Sequence, residues 1–232
     1  MNGNNETGII RNWPSAERPR EKMMENGPAA LSDAELLAVL LRTGTRGKDA
    51  VAFSRDLVGQ FGGLRGLMKQ DLNALRKIKG LGPAKIASLL SATELARRQL
   101  KERVLLKDVV RDPQGVFEYL SFALRDRQKE LFKVLYLNKA NALIGEKDLF
   151  AGTVDEAAVH PREIVQSALE RHATAVILVH NHPSGRTQPS REDVEITKKI
   201  KAACESVSIR VLDHVIIGHN DYFSFNQNKV VF

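Results

Sequence analysis

Residues 173–193 read Ala-Thr-Ala-Val-Ile-Leu-Val-His-Asn-His-Pro-Ser-Gly-Arg-Thr-Gln-Pro-Ser-Arg-Glu-Asp. The first seven positions form a largely apolar run of strand length, which is typical of a buried central strand. The sequence then turns abruptly polar, and its glycine and prolines predict a loop. Ser190 and Asp193 have the spacing of a helix capping box. The stretch therefore predicts a buried strand, a polar loop and a helix, in that order.

Two histidines stand where the predicted strand ends. Alternate side chains of a strand share a face, so His180 and His182 project together. Ten residues separate His182 from Asp193, which lies in the first turn of the predicted helix. Two imidazoles and a carboxylate are a normal catalytic zinc set with a fourth position for water, whose pKa zinc lowers toward neutrality. Taken singly, the histidine pair is typical of an ordinary loop, and Ser190-x-x-Asp193 is typical of a helix cap. The occurrence of both patterns together favours a zinc site.

Strands and helices alternate around this stretch. Residues 131–137 and 142–145 predict two strands joined by a turn, and 209–217 predicts another. Helices are expected over 161–171 and from 191 to about 206, each with apolar residues on one face. The second half is therefore expected to be a mixed sheet with helices packed on it.

The first half has only helical patterns. Ser32-Asp33-Ala34-Glu35 is a capping box ahead of an apolar run, and no strand pattern is visible up to residue 99. Charge and histidine content divide the chain in the same way. Residues 1–104 hold 18 Lys and Arg against 11 Asp and Glu, whereas residues 105–232 hold 17 of each and all six histidines. We predict a basic all-α unit over 1–102, a linker over 103–112 and a zinc domain over 110–232.

One turn in the basic unit is suited to phosphate. Gly80 and Gly82, separated by one apolar residue, permit a tight turn with outward backbone N–H groups, and Pro83 suits the first position of the next helix. N–H groups at a helix N-terminus bind phosphate, and Lys79 and Lys85 flank them. The stretch resembles a helix-hairpin-helix motif, which would contact DNA without reading its sequence. The alternative is that the glycines only close a hairpin between packed helices.

Composition excludes several classes of protein. No apolar run reaches the length of a membrane span, and the polar start lacks the features of a signal peptide. We expect a cytoplasmic protein without membrane association. Cys204, the single cysteine, is expected in the core. Zinc nucleobase deamination needs paired cysteines and is excluded.

The zinc pattern resembles that of the JAMM (MPN+) metalloproteases. The fuller strings His-Asn-His-Pro-Ser-Gly at 180–185 and Asp-His-Val-Ile-Ile-Gly at 213–218 resemble the bacterial RadC family (UPF0758), as do Arg-Pro-Arg-Glu-Lys at 18–22 and the glycine hairpin. The resemblance runs from about residue 12 to 232. It implies an N-terminal all-α helix-hairpin-helix unit followed by a mixed α/β, cytidine-deaminase-like JAMM domain.

The resemblance also implies roles for individual residues. One zinc ion would be held by His180, His182 and Asp193, with water as the fourth ligand. Ser190 would stabilise the oxyanion, and an upstream glutamate would be the general base. Glu130, directly before the strand 131–137, is our choice. Glu146 and Glu163 are the alternatives. His214 is interpreted as structural, with a contact to a zinc ligand as the alternative.

Two functions follow from these observations. The first is a zinc metallopeptidase-type hydrolase, in which zinc-activated water attacks a peptide or isopeptide bond and the basic unit contacts DNA non-specifically. The second is a non-enzymatic, DNA-associated accessory protein of repair or recombination with a structural or vestigial zinc. Cleavage that depends on Glu130 would distinguish the first from the second.

Overall fold

The structure is a computed structural model that describes residues 10–105, 109–152 and 159–232. The chain divides into two compact units, Met1–Leu95 and Ala96–Phe232. Helices build the first unit, and one five-stranded mixed sheet with helices builds the second. The predicted fold class is therefore confirmed. No described helix is long and apolar enough to cross a membrane.

Polar caps set where several helices of the first unit begin. Ser32 and Glu35 form the predicted capping box, in which each side chain accepts a hydrogen bond from the other residue's backbone N–H. Asp49 and Asp71 cap two further helices by accepting a backbone N–H of the first turn. The helices are α1 (Pro19–Asn26), α2 (Asp33–Leu41), α3 (Ala50–Gln60), α4 (Leu64–Met68), α5 (Leu72–Arg76) and α6 (Pro83–Leu105).

Helix α6 begins in the first unit and ends in the second. Its last turns belong to the second unit because Leu100 and Val104 pack in that unit's core. The first three residues of the predicted linker, 103–105, are thus helical, and 106–108 lie outside the described residues. Asp112 then caps the next helix, α7 (Pro113–Leu124), by accepting a hydrogen bond from the backbone N–H of Gly115.

A sheet with strand order β2-β1-β3-β4-β5 forms the centre of the second unit. Strand β1 is antiparallel to both neighbours, β3 and β4 are parallel, and β5 is antiparallel to β4. Strand β3 is central and wholly buried, as its apolar sequence predicts. The strands are β1 (Glu130–Leu137), β2 (Leu143–Gly152), β3 (Ala175–Asn181), β4 (Arg210–Ile217) and β5 (Tyr222–Ser224). Strand β2 is longer than the predicted 142–145 because it pairs along all of β1.

Helices cover both faces of this sheet. Successive residues of β3 point in opposite directions, so Ile177 packs in the core that includes α7. Leu178 packs in the opposite core, which includes α8 (Pro161–Glu170) and α9 (Arg191–Glu205). Cys204 on α9 is fully buried there, as predicted.

The segment from β3 through α9 to the parallel strand β4 positions the polar loop. Ligands commonly bind beyond the carboxyl ends of parallel strands, and the loop leaves β3 at that end. His180 is on the same face of β3 as Leu178 and so points toward the helix that carries Asp193. The fold thus brings the strand end and the first turn of α9 together.

Candidate metal centre

The two histidines at the end of β3 converge through the same ring atom. The Nε2 atoms of His180 and His182 lie 2.9 Å apart, and His180 is completely buried. The Nδ1 atom of His182 lies 2.9 Å from the carbonyl oxygen of Arg186. Because a carbonyl only accepts, Nδ1 carries the hydrogen and the neutral ring has its lone pair on Nε2. His182 therefore presents Nε2 as a ligand atom.

Asp193 completes this group from the first turn of α9. Its Oδ2 accepts hydrogen bonds from the backbone N–H of Ser190 at 2.8 Å and from the Ser190 hydroxyl at 2.7 Å. Its Oδ1 lies 3.2 Å from His180 Nε2, and Oδ2 lies 3.5 Å from His182 Nε2. The predicted capping box is thus present, and it also orients the carboxylate toward both imidazoles.

The charges of the three groups are strongly linked. Burial by itself would raise the pKa of Asp193, but hydrogen bonds and charge from His180 and His182 outweigh burial and hold that pKa far below its usual range. The hydrogen bond with Asp193 raises the pKa of His182 despite partial burial of the ring. The cluster is therefore organised around a carboxylate that stays ionised and attracts positive charge.

The separations between the side-chain atoms of these three residues are compatible with a zinc ion. In a tetrahedral site with zinc–ligand bonds of about 2.0–2.1 Å, neighbouring ligand atoms lie about 3.3 Å apart. Here the two Nε2 atoms lie 2.9 Å apart, and the two imidazoles approach different oxygens of the Asp193 carboxylate, His180 at 3.2 Å from Oδ1 and His182 at 3.5 Å from Oδ2. Imidazole nitrogen and carboxylate oxygen are both normal zinc ligands. His180, His182 and Asp193 could therefore hold zinc without rearrangement of the fold.

Glu130 is the glutamate that the fold brings to this group. It is the first residue of β1, and its Oε1 lies 4.0 Å from His180 Nε2. Antiparallel pairing of Phe132 with His180 places the start of β1 beside the end of β3. Burial raises the pKa of Glu130, although the neighbouring imidazoles partly offset this rise.

The other two candidate glutamates lie elsewhere. Glu146 is opposite Leu135 in the middle of β2, and its carboxylate is bound by Lys101, Lys133 and the Tyr119 hydroxyl. Glu163 is exposed in the first turn of α8. Among the described residues, the group that could hold a metal consists of Glu130, His180, His182 and Asp193.

Asn181 holds the segment that carries Glu130. Its Oδ1 accepts a hydrogen bond from the backbone N–H of Leu131 at 3.0 Å. Its Nδ2 donates to the carbonyl oxygens of Lys129 at 3.3 Å and Arg127 at 3.5 Å. The sequence interpretation assigned no role to Asn181, although strand alternation points it away from the two histidines. The structure shows that Asn181 holds the residues that lead into β1, and that it does so from the face of β3 opposite the two histidines.

Ser190 uses its hydroxyl within the cap. The oxygen accepts from the backbone N–H of Asp193 at 3.0 Å, and the hydroxyl hydrogen is donated to Asp193 Oδ2. A role for Ser190 in binding an oxyanion therefore requires this hydrogen to turn away from Asp193.

His214 and Thr197 form a second layer behind His180. The Nε2 atom of His214 lies 2.8 Å from His180 Nδ1, and its Nδ1 lies 2.6 Å from Thr197 Oγ1. Complete burial lowers the pKa of His214 well below its usual value. The contact considered as the alternative role for His214 is thus present. Thr197 received no role from the sequence, yet it lies one helical turn after Asp193, and that spacing was the available signal.

The glycine hairpin of the first unit has one lysine held and one exposed. Lys85 Nζ donates to the carbonyl oxygens of Gly44 at 2.5 Å and Gly80 at 3.1 Å, and it lies 4.7 Å from the centre of the Phe53 ring. Burial lowers the pKa of Lys85. Gly80 has a φ of 89°, as a tight turn requires. Lys79 and Gly82 are exposed.

Comparison with known proteins identifies the family. The model of the RadC-like JAB domain matches residues 110–230, and that of the UPF0758 N-terminal region matches residues 10–87. A UPF0758 protein of Pseudomonas fluorescens (strain Pf0-1) is 48% identical over 93% of this chain and 96% of its own. The UPF0758 protein of Aeromonas hydrophila subsp. hydrophila is 50% identical over 93% of this chain and 96% of its own. The UPF0758 protein of Nitrosococcus oceani is 48% identical over 96% of this chain and 99% of its own. The chain therefore belongs to the UPF0758 family, with a RadC-like JAB domain over residues 110–230, as the histidine loop predicts.

Proposed function

We propose that the second unit is a zinc-dependent hydrolase of the JAMM type that cleaves a peptide or isopeptide bond. The observation that carries this proposal is the convergence of His180, His182 and Asp193 at zinc-like separations with Glu130 beside them. The JAB domains form a superfamily that includes metalloproteases, which agrees with the proposal. Zinc bound there supplies a Lewis acid that activates water and polarises the carbonyl group of the substrate.

Glu130 acts as the general base and then the general acid. It takes a proton from the attacking water, whose oxygen forms a bond to the carbonyl carbon, and later returns the proton to the leaving nitrogen as the C–N bond breaks. Its raised pKa brings the carboxyl group closer to the range in which it can both accept and release a proton. The hydrogen bond from the backbone N–H of Leu131 to Asn181 Oδ1 holds this segment in place during both transfers.

Ser190 donates to the oxyanion. Its hydroxyl hydrogen turns from Asp193 Oδ2 toward the developing oxygen anion, which is a strong acceptor. The backbone N–H of Ser190 continues to hold Asp193 Oδ2 during this turn, so the carboxylate keeps its orientation.

Metal content is the first test. Wild-type protein purified without chelator should carry close to one zinc per chain by elemental analysis, and Asp193→Ala should lose most of it. Glu192→Ala is the matched control, since Glu192 is an exposed carboxylate in the same helical turn. Wild-type protein that neither carries zinc nor takes it up on addition would overturn the hydrolase proposal.

Cleavage is the second test, with a fluorogenic peptide pool and a lysine-linked isopeptide as probes. Glu130→Gln should retain zinc and lose activity about 100-fold or more, whereas Glu163→Gln, an exposed glutamate on α8, should be unaffected. Ser190→Ala should lower kcat by about 100- to 1000-fold. Ser32→Ala removes an equivalent capping box from the first unit and controls for the loss of a helix cap. Full activity in Glu130→Gln would remove Glu130 from the mechanism.

We further propose that the first unit contacts DNA without sequence preference. Exposed Lys79 and Gly82 lie at the hairpin, and Arg46, Lys48 and Lys77 line a neighbouring cavity of about 670 Å³ together with Lys79. Lys85, also predicted to contact phosphate, already donates to two backbone carbonyls of the first unit, so we assign the main contact to the exposed Lys79. Affinity for a duplex of arbitrary sequence should fall steeply with salt through counterion release, and Lys79→Ala should weaken it. No binding at low salt would leave the hairpin as a packing element.

A further inference from the structure

His214 lies in an enclosed apolar setting next to the candidate metal centre. It is completely buried on β4. The Phe225 ring stacks on it with centroids 4.7 Å apart, and the Phe132 ring lies at 5.6 Å. These two rings restrict the orientation of the imidazole. Its two nitrogen atoms meet two polar partners, Thr197 on α9 and His180 on β3.

The hydrogen on one His214 nitrogen can be located by following the donors. Thr197 Oγ1 lies 2.5 Å from the backbone carbonyl oxygen of Asp193 and 2.6 Å from His214 Nδ1. The carbonyl only accepts, so it receives the single hydroxyl hydrogen of Thr197. The hydroxyl can then only accept from His214. His214 Nδ1 therefore carries a hydrogen.

The same reasoning fixes the tautomer of His180. A neutral His214 with its hydrogen on Nδ1 has a lone pair on Nε2, and this lone pair lies 2.8 Å from His180 Nδ1. His180 must donate there, so its hydrogen is on Nδ1. Its Nε2 then faces the space shared with His182 Nε2 and Asp193 Oδ1. In the neutral ring this atom carries a lone pair, and only the protonated ring donates from it to Asp193. A hydrogen on His180 Nε2 would instead block ligation.

The chain of hydrogen bonds joins two elements that supply ligands. It runs from the His180 ring on β3 through His214 on β4 to Thr197 on α9, and ends at the backbone of Asp193. A metal-bound histidine usually donates its second N–H to an outer partner that sets its tautomer and orientation. A neutral imidazole in that position sets both without adding a negative charge to a site that already holds Asp193 and Glu130.

We propose that His214 is a positioning residue of the metal centre, which accepts a hydrogen bond from His180 Nδ1–H and so directs His180 Nε2 at the metal, and that Thr197 fixes the hydrogen of His214. This proposal rests on the proposed zinc site, but it makes a separate statement about the metal-free protein. The tautomer of His180 is set by the fold and exists before any metal binds.

The decisive measurement is the tautomer of His180 in metal-free, uniformly ¹⁵N-labelled protein. Long-range ¹H–¹⁵N correlation spectra distinguish a hydrogen on Nδ1 from one on Nε2. We expect Nδ1–H in the wild type and a mixture of tautomers in His214→Leu. A neutral His180 ring with its hydrogen on Nε2 in the wild type would overturn the proposal even if the protein binds zinc. A wild type with Nδ1–H that takes up no zinc would overturn the proposed function and leave the tautomer assignment standing.

Zinc affinity provides the second readout, by competition with a chromophoric chelator. His214→Leu should weaken zinc binding about 10- to 100-fold. His214→Gln should recover most of that loss, because its amide can accept from His180 and donate to Thr197. His160→Gln changes an exposed histidine and should have no effect. Wild-type affinity in a folded His214→Leu would overturn the proposal.

Thr197→Val covers the case in which His214→Leu fails to fold. This substitution preserves the shape of the buried side chain but removes the acceptor of His214 Nδ1–H. Zinc binding should weaken by several-fold, whereas Thr197→Ser, which keeps the hydroxyl, should bind as the wild type does. Equal affinity in Thr197→Val and Thr197→Ser would refute the part assigned to Thr197.

Discussion

Removal of the Asn181 side chain should separate metal binding from catalysis. The Asn181→Ala variant leaves the backbone N–H of Leu131 buried without its 3.0 Å acceptor. An unsatisfied buried donor costs about 1–3 kcal/mol in the free energy of unfolding. The contacts to Lys129 and Arg127, at 3.3 and 3.5 Å, are near the limit of a hydrogen bond and add little. A loss of about 1–3 kcal/mol corresponds to a fall in Tm of about 3–10 °C for a chain of this size.

The same variant should keep its zinc, because His180, His182 and Asp193 are unchanged. Glu130 should lose its fixed position, and cleavage should fall at least about tenfold, since a small misplacement of a catalytic group is costly. Calorimetry, elemental analysis and the fluorogenic peptide assay measure the three quantities on one preparation. Asn228→Ala, which removes an exposed asparagine with one bond to a backbone carbonyl, is the control. Wild-type Tm and cleavage rate in Asn181→Ala would refute the role of this side chain.

Three further predictions concern pH, a glycine and a lysine. The pKa of His182 in the folded protein is raised above 6.5, so its contribution to the stability of the metal-free protein is complete below pH 6.5 and is lost as the pH rises through the raised value. Because zinc binds the deprotonated ring, the Tm increase on zinc addition should grow over that pH range. A Tm increase that is independent of pH would contradict this prediction. Gly185→Ala should lower the free energy of unfolding by about 1–3 kcal/mol, because φ is 77° and a Cβ would lie 2.3 Å from His219 Nδ1. Gly47→Ala is the control, since Gly47 has a φ of 79° but a Cβ there would have no atom within 4 Å, and calorimetry should show a smaller loss. Equal losses in the two variants would refute the clash. Lys85→Met should lower the free energy of unfolding of the first unit by about 1–3 kcal/mol in urea, because two backbone carbonyls lose their donor. An unchanged urea midpoint would show that these hydrogen bonds contribute nothing to stability.

Local patterns predicted the parts of the structure that depend on neighbouring residues. The capping boxes at Ser32 and Ser190 and the buried strand before His180 all require only short stretches of sequence. The sequence interpretation assigned no helix to residues 113–124, although Asp112 and Pro113 are the usual start of a helix. Charged residues on both sides of 104–106 indicated a linker there, so the last turn of α6 was assigned to that linker.

Long-range contacts explain what the sequence could not provide. The position of Glu130 depends on the antiparallel pairing of Phe132 with His180, some fifty residues apart, and no local pattern encodes that register. The contact of His214 with His180 depends on the parallel register of β4 beside β3, in which His214 is opposite Leu178. The family resemblance predicted that a glutamate directly precedes a strand. How far that glutamate lies from the imidazoles is determined by the pairing of the strands.

The loop between β3 and α9 has a consequence for the order in which the centre can assemble. His180, His182 and Asp193 all lie within one short stretch, so bringing them together requires the closure of a small loop at little entropic cost. Glu130 and His214 join only after distant strands have paired, which is the slow and cooperative part of folding. A partly folded chain could thus capture a metal ion weakly while it lacks the general base. The proposed general base thus requires the completed sheet, whereas the proposed metal ligands do not.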